Sequence, residues 1–267
     1  MVADPPGFLS LLEGTVLLRP YVFVFLLAFL VLAIRDLSVR HTIWFFVWGW
    51  SVAFVAEYAS TRVGIPFGIY HYTEQTRGVE LFVSNVPLFD SLSFVFLAYA
   101  AYSLARFALG TARGAGVVAL AGVMMMLLDV VVDPLAVRGD RWMLGHVFYY
   151  PRGGVYFGVP LSNFAGWLVV GWTIVGGYAV AAARRASWSA GSPGTGVALY
   201  YGVLLFNLAT TLWIGAWELL VAGILVQGAG ILLIYMVGRA RQRLTPLAGL
   251  PSPSRDLEFG DTRSGRA

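Results

Sequence analysis

Between residues 17 and 238 the chain is a succession of apolar runs, most of them long enough to cross a bilayer as helices. Such runs predict an all-α, polytopic transmembrane bundle. Spans are read at about 17–34, 43–58, 87–107, 117–137 and 159–183. Residues 197–238 hold enough apolar sequence for two more helices, broken near 215–218. The count is about seven helices. Residues 1–16 carry no clear signal. The Gly- and Pro-rich segment 64–74 reads as an ordered turn rather than a helix. The Ser/Gly-rich stretch 186–196 reads as a short linker. Residues 1–244 therefore make one transmembrane helical domain. Residues 245–267, rich in Pro, Ser, Gly and Arg, are expected to be a disordered tail.

Composition narrows the chemistry. The chain is 58% hydrophobic and only 12% charged, with a mean hydropathy of +0.75, far outside the range of a soluble domain. With no cysteine, thiol catalysis, disulfides and Cys-ligated metals are excluded. All 18 basic residues are Arg, so Schiff-base chemistry is excluded as well. A net charge of +4 does not point to nucleic acid. The arginines report topology instead. One face receives Arg35, Arg40, Arg106, Arg113, Arg184, Arg185, Arg239, Arg241 and Arg243; the other receives Arg19, Arg62, Arg77, Arg138, Arg141 and Arg152. The first face is read as cytoplasmic. That places the N-terminus outside and the C-terminus inside the cell (inner) membrane.

Two acids interrupt the fourth apolar run. In MMMLLDVVVDP, Asp129 and Asp133 stand four residues apart. On a helix they share a face, about 6 Å apart along the axis. Acids at membrane depth are expensive and face a polar cavity or a partner. The topology brings more polar groups to that level: Glu57 ends the second span, Asp90 begins the third, Asn163 begins the fifth, and Glu218 arrives from the same side. Mutual satisfaction of buried polar groups is the plainer explanation. The alternative is a polar pocket in an apolar bundle, open to a lipid-soluble substrate. Trp167 and Trp172 lie inside a span, where ring faces stabilise cations. For Tyr70, Tyr72, Tyr149 and Tyr150, anchoring at the membrane interface is as good a reading as any role in a site. Carboxylic acids beside aromatic walls suit protonation of a carbon–carbon double bond. Asp129, the deeper acid, is read as the proton donor. Asp133 with Asn163 is read as the water-positioning base, Glu57 and Asp90 as support, Trp167 as a shield for the cation, and Tyr70 as a hydrogen-bond partner.

Other constellations are weak. His41, His71 and His146 lie far apart, which argues against a His-based metal site. No nucleophile elbow, P-loop or dinucleotide fingerprint is present. The Asp129/Asp133 pair is half of the magnesium–diphosphate signature of membrane prenyltransferases. Met125 stands where that family has Asn, and no second acidic cluster follows.

Taken together, several segments resemble the integral-membrane carotenoid-biosynthesis proteins that include the carotenoid 1',2'-hydratases and bisanhydrobacterioruberin hydratase. They are Glu57-Tyr58; Gly64-Ile65-Pro66-Phe67-Gly68 with Tyr70 and Tyr72; Asp129-x-x-x-Asp133-Pro134 with Trp142; and Gly158-Val159-Pro160-Leu161-Ser162-Asn163-Phe164-x-Gly166-Trp167. They span residues 57 to about 172, and the last block is the most specific. The start of the third span, Leu88-Phe89-Asp90-Ser91-Leu92-Ser93, and Leu144 depart from the family pattern. The resemblance implies hydration of the terminal double bond of a linear or monocyclic carotenoid, giving a tertiary alcohol at C1', with no cofactor. Trp167, Tyr70, Tyr72, Trp142, Phe164, Pro66 and Phe67 are read as contacting the substrate. The implied surroundings are the carotenoid, the lipid bilayer and other enzymes of the same pathway. Two alternatives stay open. One is a membrane carotenoid cyclase or prenyltransferase. The other is a non-enzymatic transporter or lipid-binding protein, against which the lack of internal symmetry counts.

Overall fold

The computed structural model describes residues 6–183 and 191–244. The expected tail at 245–267 and residues 186–190 of the expected linker lie outside the described residues, and residues 194–196 of that linker already belong to a helix. Among the described residues eight helices carry the fold: α1 (Phe8–Leu18), α2 (Pro20–Leu37), α3 (Val39–Val63), α4 (Leu88–Leu109), α5 (Ala115–Ala136), α6 (Leu161–Ala183), α7 (Gly194–Trp213) and α8 (Trp217–Leu244). Six of them, α2 and α4 to α8, are long and apolar enough to cross a membrane. The chain is an integral membrane protein. Helix α3 is also long, at 25 residues, but carries Arg40, His41, Glu57 and Arg62.

One helix escaped the sequence reading. Residues 8–18 are helical, and the first span starts at Pro20 rather than at residue 17. Pro20 has no N–H to continue the preceding helix and is well placed as a first helical residue. The break in 197–238 falls at Ile214–Ala216, where Gly215 adopts positive φ.

Helix α4 is the axis of the bundle. Nearly every residue from Phe89 to Ala108 is buried, and α2, α3, α5, α6, α7 and α8 all pack on it. Helix α8 sits at the periphery, exposing Val221, Ile224, Leu225, Ile231, Leu232 and Met236, an apolar surface suited to lipid. Helices α5 and α6 pack closely. A Cβ added at Gly171 would stand 3.0 Å from Gly122 Cα, and one added at Gly122 would stand 2.2 Å from Trp172 Cδ1. Small residues let two membrane helices approach this closely.

Two buried ion pairs brace opposite ends. At one end Arg106 grips Asp36 at 2.5 and 3.0 Å and also donates to the Gly191 carbonyl at 2.8 Å, tying α4 to α2 and to the segment before α7. At the other, Arg19 pairs with Glu80 at 3.1 Å and donates to Leu144 O. Neither arginine is a surface charge, although both stood among the topology markers. Each is 3% exposed or less.

Two loops cover the end that holds Arg19. One carries β1 (His71–Tyr72), β2 (Phe82–Val83) and β3 (Val86–Pro87), and the other carries β4 (Phe148–Tyr149). Strands β1 and β4 pair antiparallel, His71 opposite Tyr149 and Tyr72 opposite Phe148. This short ladder joins the loops into one cap.

Candidate active site

The site forms where the cap meets α3, α4, α5 and α6. Side chains alternate along a strand, so Tyr70, Tyr72, Phe148 and Tyr150 point inward and are buried, while His71 and Tyr149 point outward. The Tyr72 hydroxyl donates to Asp90 Oδ2 at 2.7 Å or to Glu57 Oε1 at 3.3 Å. Ser91 Oγ donates to the other Glu57 oxygen. The hydroxyls of Tyr70 and Tyr72 are 3.3 Å apart. On the other side, Asn163 Nδ2 donates to Asp129 Oδ2 and to Asp133 Oδ2, both at 2.7 Å. Tyr150 adds a longer bond of 3.4 Å to Asp133 Oδ2. Burial and the carboxyls near them, Glu57 for Tyr70, Asp90 for Tyr72 and Asp133 for Tyr150, push all three hydroxyls above the usual tyrosine range. All three therefore remain donors at neutral pH.

Two connected cavities meet at these groups. The smaller, about 290 Å³ of empty space, is walled by Glu57, Asp90, Asp133, Asn163, Tyr70 and Tyr150 together with Phe67, Phe94, Phe148 and Trp167. The larger holds about 730 Å³ of empty space, part of it open to the surroundings, and runs between α2, α4, α5 and α7. Its wall is mostly aromatic and aliphatic: Tyr21, Phe25, Phe96, Trp142 and Phe206 are in it. Asp90, Asp133, Phe94, Phe148 and Trp167 belong to both. An apolar passage thus ends at two carboxyls. Beside them Trp167 is stacked on Phe94, with centroids 4.1 Å apart.

Local packing explains these positions. Gly166 lets the 64–68 turn lie on α6: a Cβ there would stand 2.5 Å from Phe67 Cδ1 and 2.9 Å from the Pro66 carbonyl oxygen. The Gly122–Gly171 crossing holds α5 and α6 so close that Asn163 reaches both aspartates. The last carbonyls of a helix lack intrahelical partners, and side chains supplement the backbone bonds at the end of α5. Arg138 donates to Pro134 O at 2.7 Å, and the Trp142 indole donates to Leu135 O at 3.2 Å. These bonds fix the helix end that carries Asp133.

Each expected residue can now be placed. Glu57, Asp90, Asp133, Asn163, Tyr70, Phe67 and Trp167 line the smaller cavity, and Trp142 lines the larger. Tyr72 stands behind Glu57 and Asp90 and bridges them. Asp129 is fully buried but lies in the wall of neither cavity; one of its oxygens has no hydrogen-bond partner. Its turn of α5 faces α6, where it accepts from Asn163, rather than the open space. Asn163 spends its amide hydrogens on the two aspartates. Phe164 packs on Tyr156, and Pro66 supports the turn; neither lines either cavity. Trp172 is 40% exposed and donates to Ala119 O outside the site. Glu218 is exposed and borders a separate hollow. Among the described residues no group of three His, Asp or Glu side chains is arranged to hold a metal.

The sequence reading missed Ser91, Phe94, Phe148, Tyr21, Phe25 and Phe206, and for Tyr150 left interface anchoring and a role in the site equally open. Two signals were available. Tyr70-His71-Tyr72 and Phe148-Tyr149-Tyr150 alternate like half-buried strands, and Tyr21, Phe25 and Phe29 recur every four residues on one face of α2.

The family described as "Carotenoid biosynthesis protein" matches residues 17–230, most of the chain and all of the site. The chain belongs to this family. A bisanhydrobacterioruberin hydratase from Haloarcula japonica is 33% identical to this carotenoid biosynthesis protein over 120 residues. That stretch is 43% of the present chain and 37% of the relative, so the chain covers well under two thirds of that protein. No solved structure matches the carotenoid biosynthesis protein described here.

Proposed function

We propose that the protein is a carotenoid 1',2'-hydratase that adds water to the terminal double bond of a linear or monocyclic carotenoid. The observation that carries this reading is the aromatic passage that ends at the opposed carboxyls of Asp90 and Asp133. A polyene end group fits an apolar, ring-lined passage. The polar pocket at its closed end has room for water.

The reaction needs an acid that is neutral before it acts and a base that takes a proton from water. Asp133 is the cavity-facing member of the Asp129–Asn163–Asp133 set and is assigned as donor. Two carboxyls clamped by one amide can hold one proton between them. The proton goes from Asp133 to C2', the alkene π pair forms the new C–H bond, and C1' becomes a tertiary cation. The stacked Trp167 and Phe94 rings present π density beside that position. Asp90, held by Tyr72, accepts a proton from water while the water oxygen bonds to C1'. Transfer of that proton back across the pocket restores the starting state. Asp129 supports Asp133, and Glu57 supports Asp90 through Tyr72. The relative named as a hydratase supports the reaction class. The arginine asymmetry supports an orientation in the cell membrane with the N-terminus and cap outside.

The test is expression in carotenoid-producing cells followed by mass analysis of the pigments. Each hydrated end should add the mass of one water, and in heavy water a carbon-bound deuterium should appear at C2'. A product that loses hydrogen, gains a prenyl unit or cyclises at unchanged mass overturns the proposal.

A further inference from the structure

A third hollow, with about 580 Å³ of empty space that includes open surroundings, lies on the same side of the bundle as the cap but apart from the site. It is set between the C-terminal end of α5 and the α7–α8 turn, and Arg138, Arg141, Trp217 and Glu218 border it. Arg138 precedes and Arg141 ends a single turn of 3₁₀ helix, Gly139–Arg141, whose geometry brings residues three apart to the same side. Both are tethered by backbone carbonyls: Arg138 Nη1 to Pro134 O and Phe157 O at 2.7 and 2.8 Å, and Arg141 Nη2 to Ile214 O at 2.6 Å. Neither forms an ion pair among the described residues, and Glu218 on the same rim pairs with neither. Two guanidinium groups are thus held near each other, against their mutual repulsion, with N–H donors left over. Burial and the Arg141 charge lower the proton affinity of Arg138, as expected where a counter-anion is lacking. The depth is that of lipid head groups, because the exposed Trp213 and Trp217 flank the turn at the bundle's end.

We propose that this hollow binds the phosphodiester of a membrane phospholipid, with Arg138 and Arg141 as its ligands. Forked guanidinium donors match phosphate oxygens, and basic pockets between membrane helices take lipid head groups. The lipid would brace the α7–α8 turn against the α5 end that positions Asp133. No residue of the proposed active site takes part, so the proposal stands apart from the hydratase reading.

Native mass spectrometry and thermal unfolding of the full chain in detergent test it, with four additives: phosphatidylglycerol, phosphatidylethanolamine, a neutral galactosyl diacylglycerol and inorganic phosphate. Both phospholipids should bind and raise the unfolding temperature, and the galactolipid should do neither. Arg141→Gln should weaken phospholipid binding about tenfold. Arg138→Gln should do the same, although that residue also holds the α5 end. Equal binding of the galactolipid, binding of inorganic phosphate only, or an Arg141→Gln protein that binds phospholipid as the parent does would each overturn the proposal. If a variant fails to fold, the head-group comparison on the unaltered protein decides.

Discussion

Asp133 and Asp129 differ by one helical turn and by what they face. Asp133 belongs to both cavity walls, whereas Asp129 lies behind it, bonded to Asn163 and lining neither. If Asp133 donates the proton, Asp133→Asn should abolish hydrated pigment. Asp129→Asn should lower it within the range of about 10²–10⁴-fold typical of general acid–base groups without removing it. Full activity in Asp133→Asn with none in Asp129→Asn, measured by pigment mass analysis, would return the donor role to the deeper acid. A second test concerns Tyr72, whose hydroxyl serves Asp90 and Glu57 together. Tyr72→Phe leaves both carboxyls without that donor in a buried place. Its expected cost is about 1–3 kcal/mol of stability, seen as a lower unfolding temperature, together with slower hydration. An unchanged unfolding temperature would show that water replaces the hydroxyl there.

Among the elements, the α5–α6 pair decides the site, and two glycines decide the pair. Gly122→Ala puts a methyl into the Trp172 ring and within 3.1 Å of the Leu168 carbonyl. The two helices must separate or Trp172 must move. Overpacking of this kind costs about 1–3 kcal/mol, and separation would pull Asn163 away from the aspartates. Reduced thermal stability with a larger loss of turnover than of folded protein is expected. Normal turnover per folded molecule would mean that Trp172 alone gives way. The cap loops are a second decisive element. Their β1–β4 ladder has only two residue pairs, yet it turns four rings inward.

On the scale of the whole molecule, the two buried ion pairs pin opposite ends of one bundle whose middle is apolar. Removing one partner of a buried pair leaves an uncompensated charge and costs about 3–5 kcal/mol. Asp36→Ala should lower the unfolding temperature accordingly while leaving turnover per folded molecule intact, because Arg106 lies at the end away from the site. Loss of turnover in fully folded protein would instead reveal coupling through α4. Orientation is open to direct measurement because the chain has no cysteine. Val155→Cys, in the cap-side loop and 85% exposed, should react with an impermeant thiol reagent on intact cells. Thr111→Cys, at the other end, should react only after permeabilisation. The reverse pattern would invert the topology drawn from the arginines.

The sequence by itself determined the class of fold and the chemistry on offer. Apolar runs of bilayer length leave helices as the economical solution, and carboxyls in such runs must meet a cavity or a partner. Glu57, Asp90, Asp133 and Asn163 were legible for that reason, since depth along a helix can be counted from the primary structure. Facing cannot be counted in the same way. Whether Asp129 or Asp133 looks into the open space depends on how α5 is rotated against α6, and the Gly122–Gly171 crossing sets that rotation. Tyr150 and Phe148 point inward only because β1 pairs with β4, a contact between loops more than 70 residues apart. Arg19 and Arg106 looked like topology charges because their partners, Glu80 and Asp36, are distant in the chain. Burial against a distant partner is a property of the packed bundle, and only the tertiary structure turns those polar residues into two braces and one site.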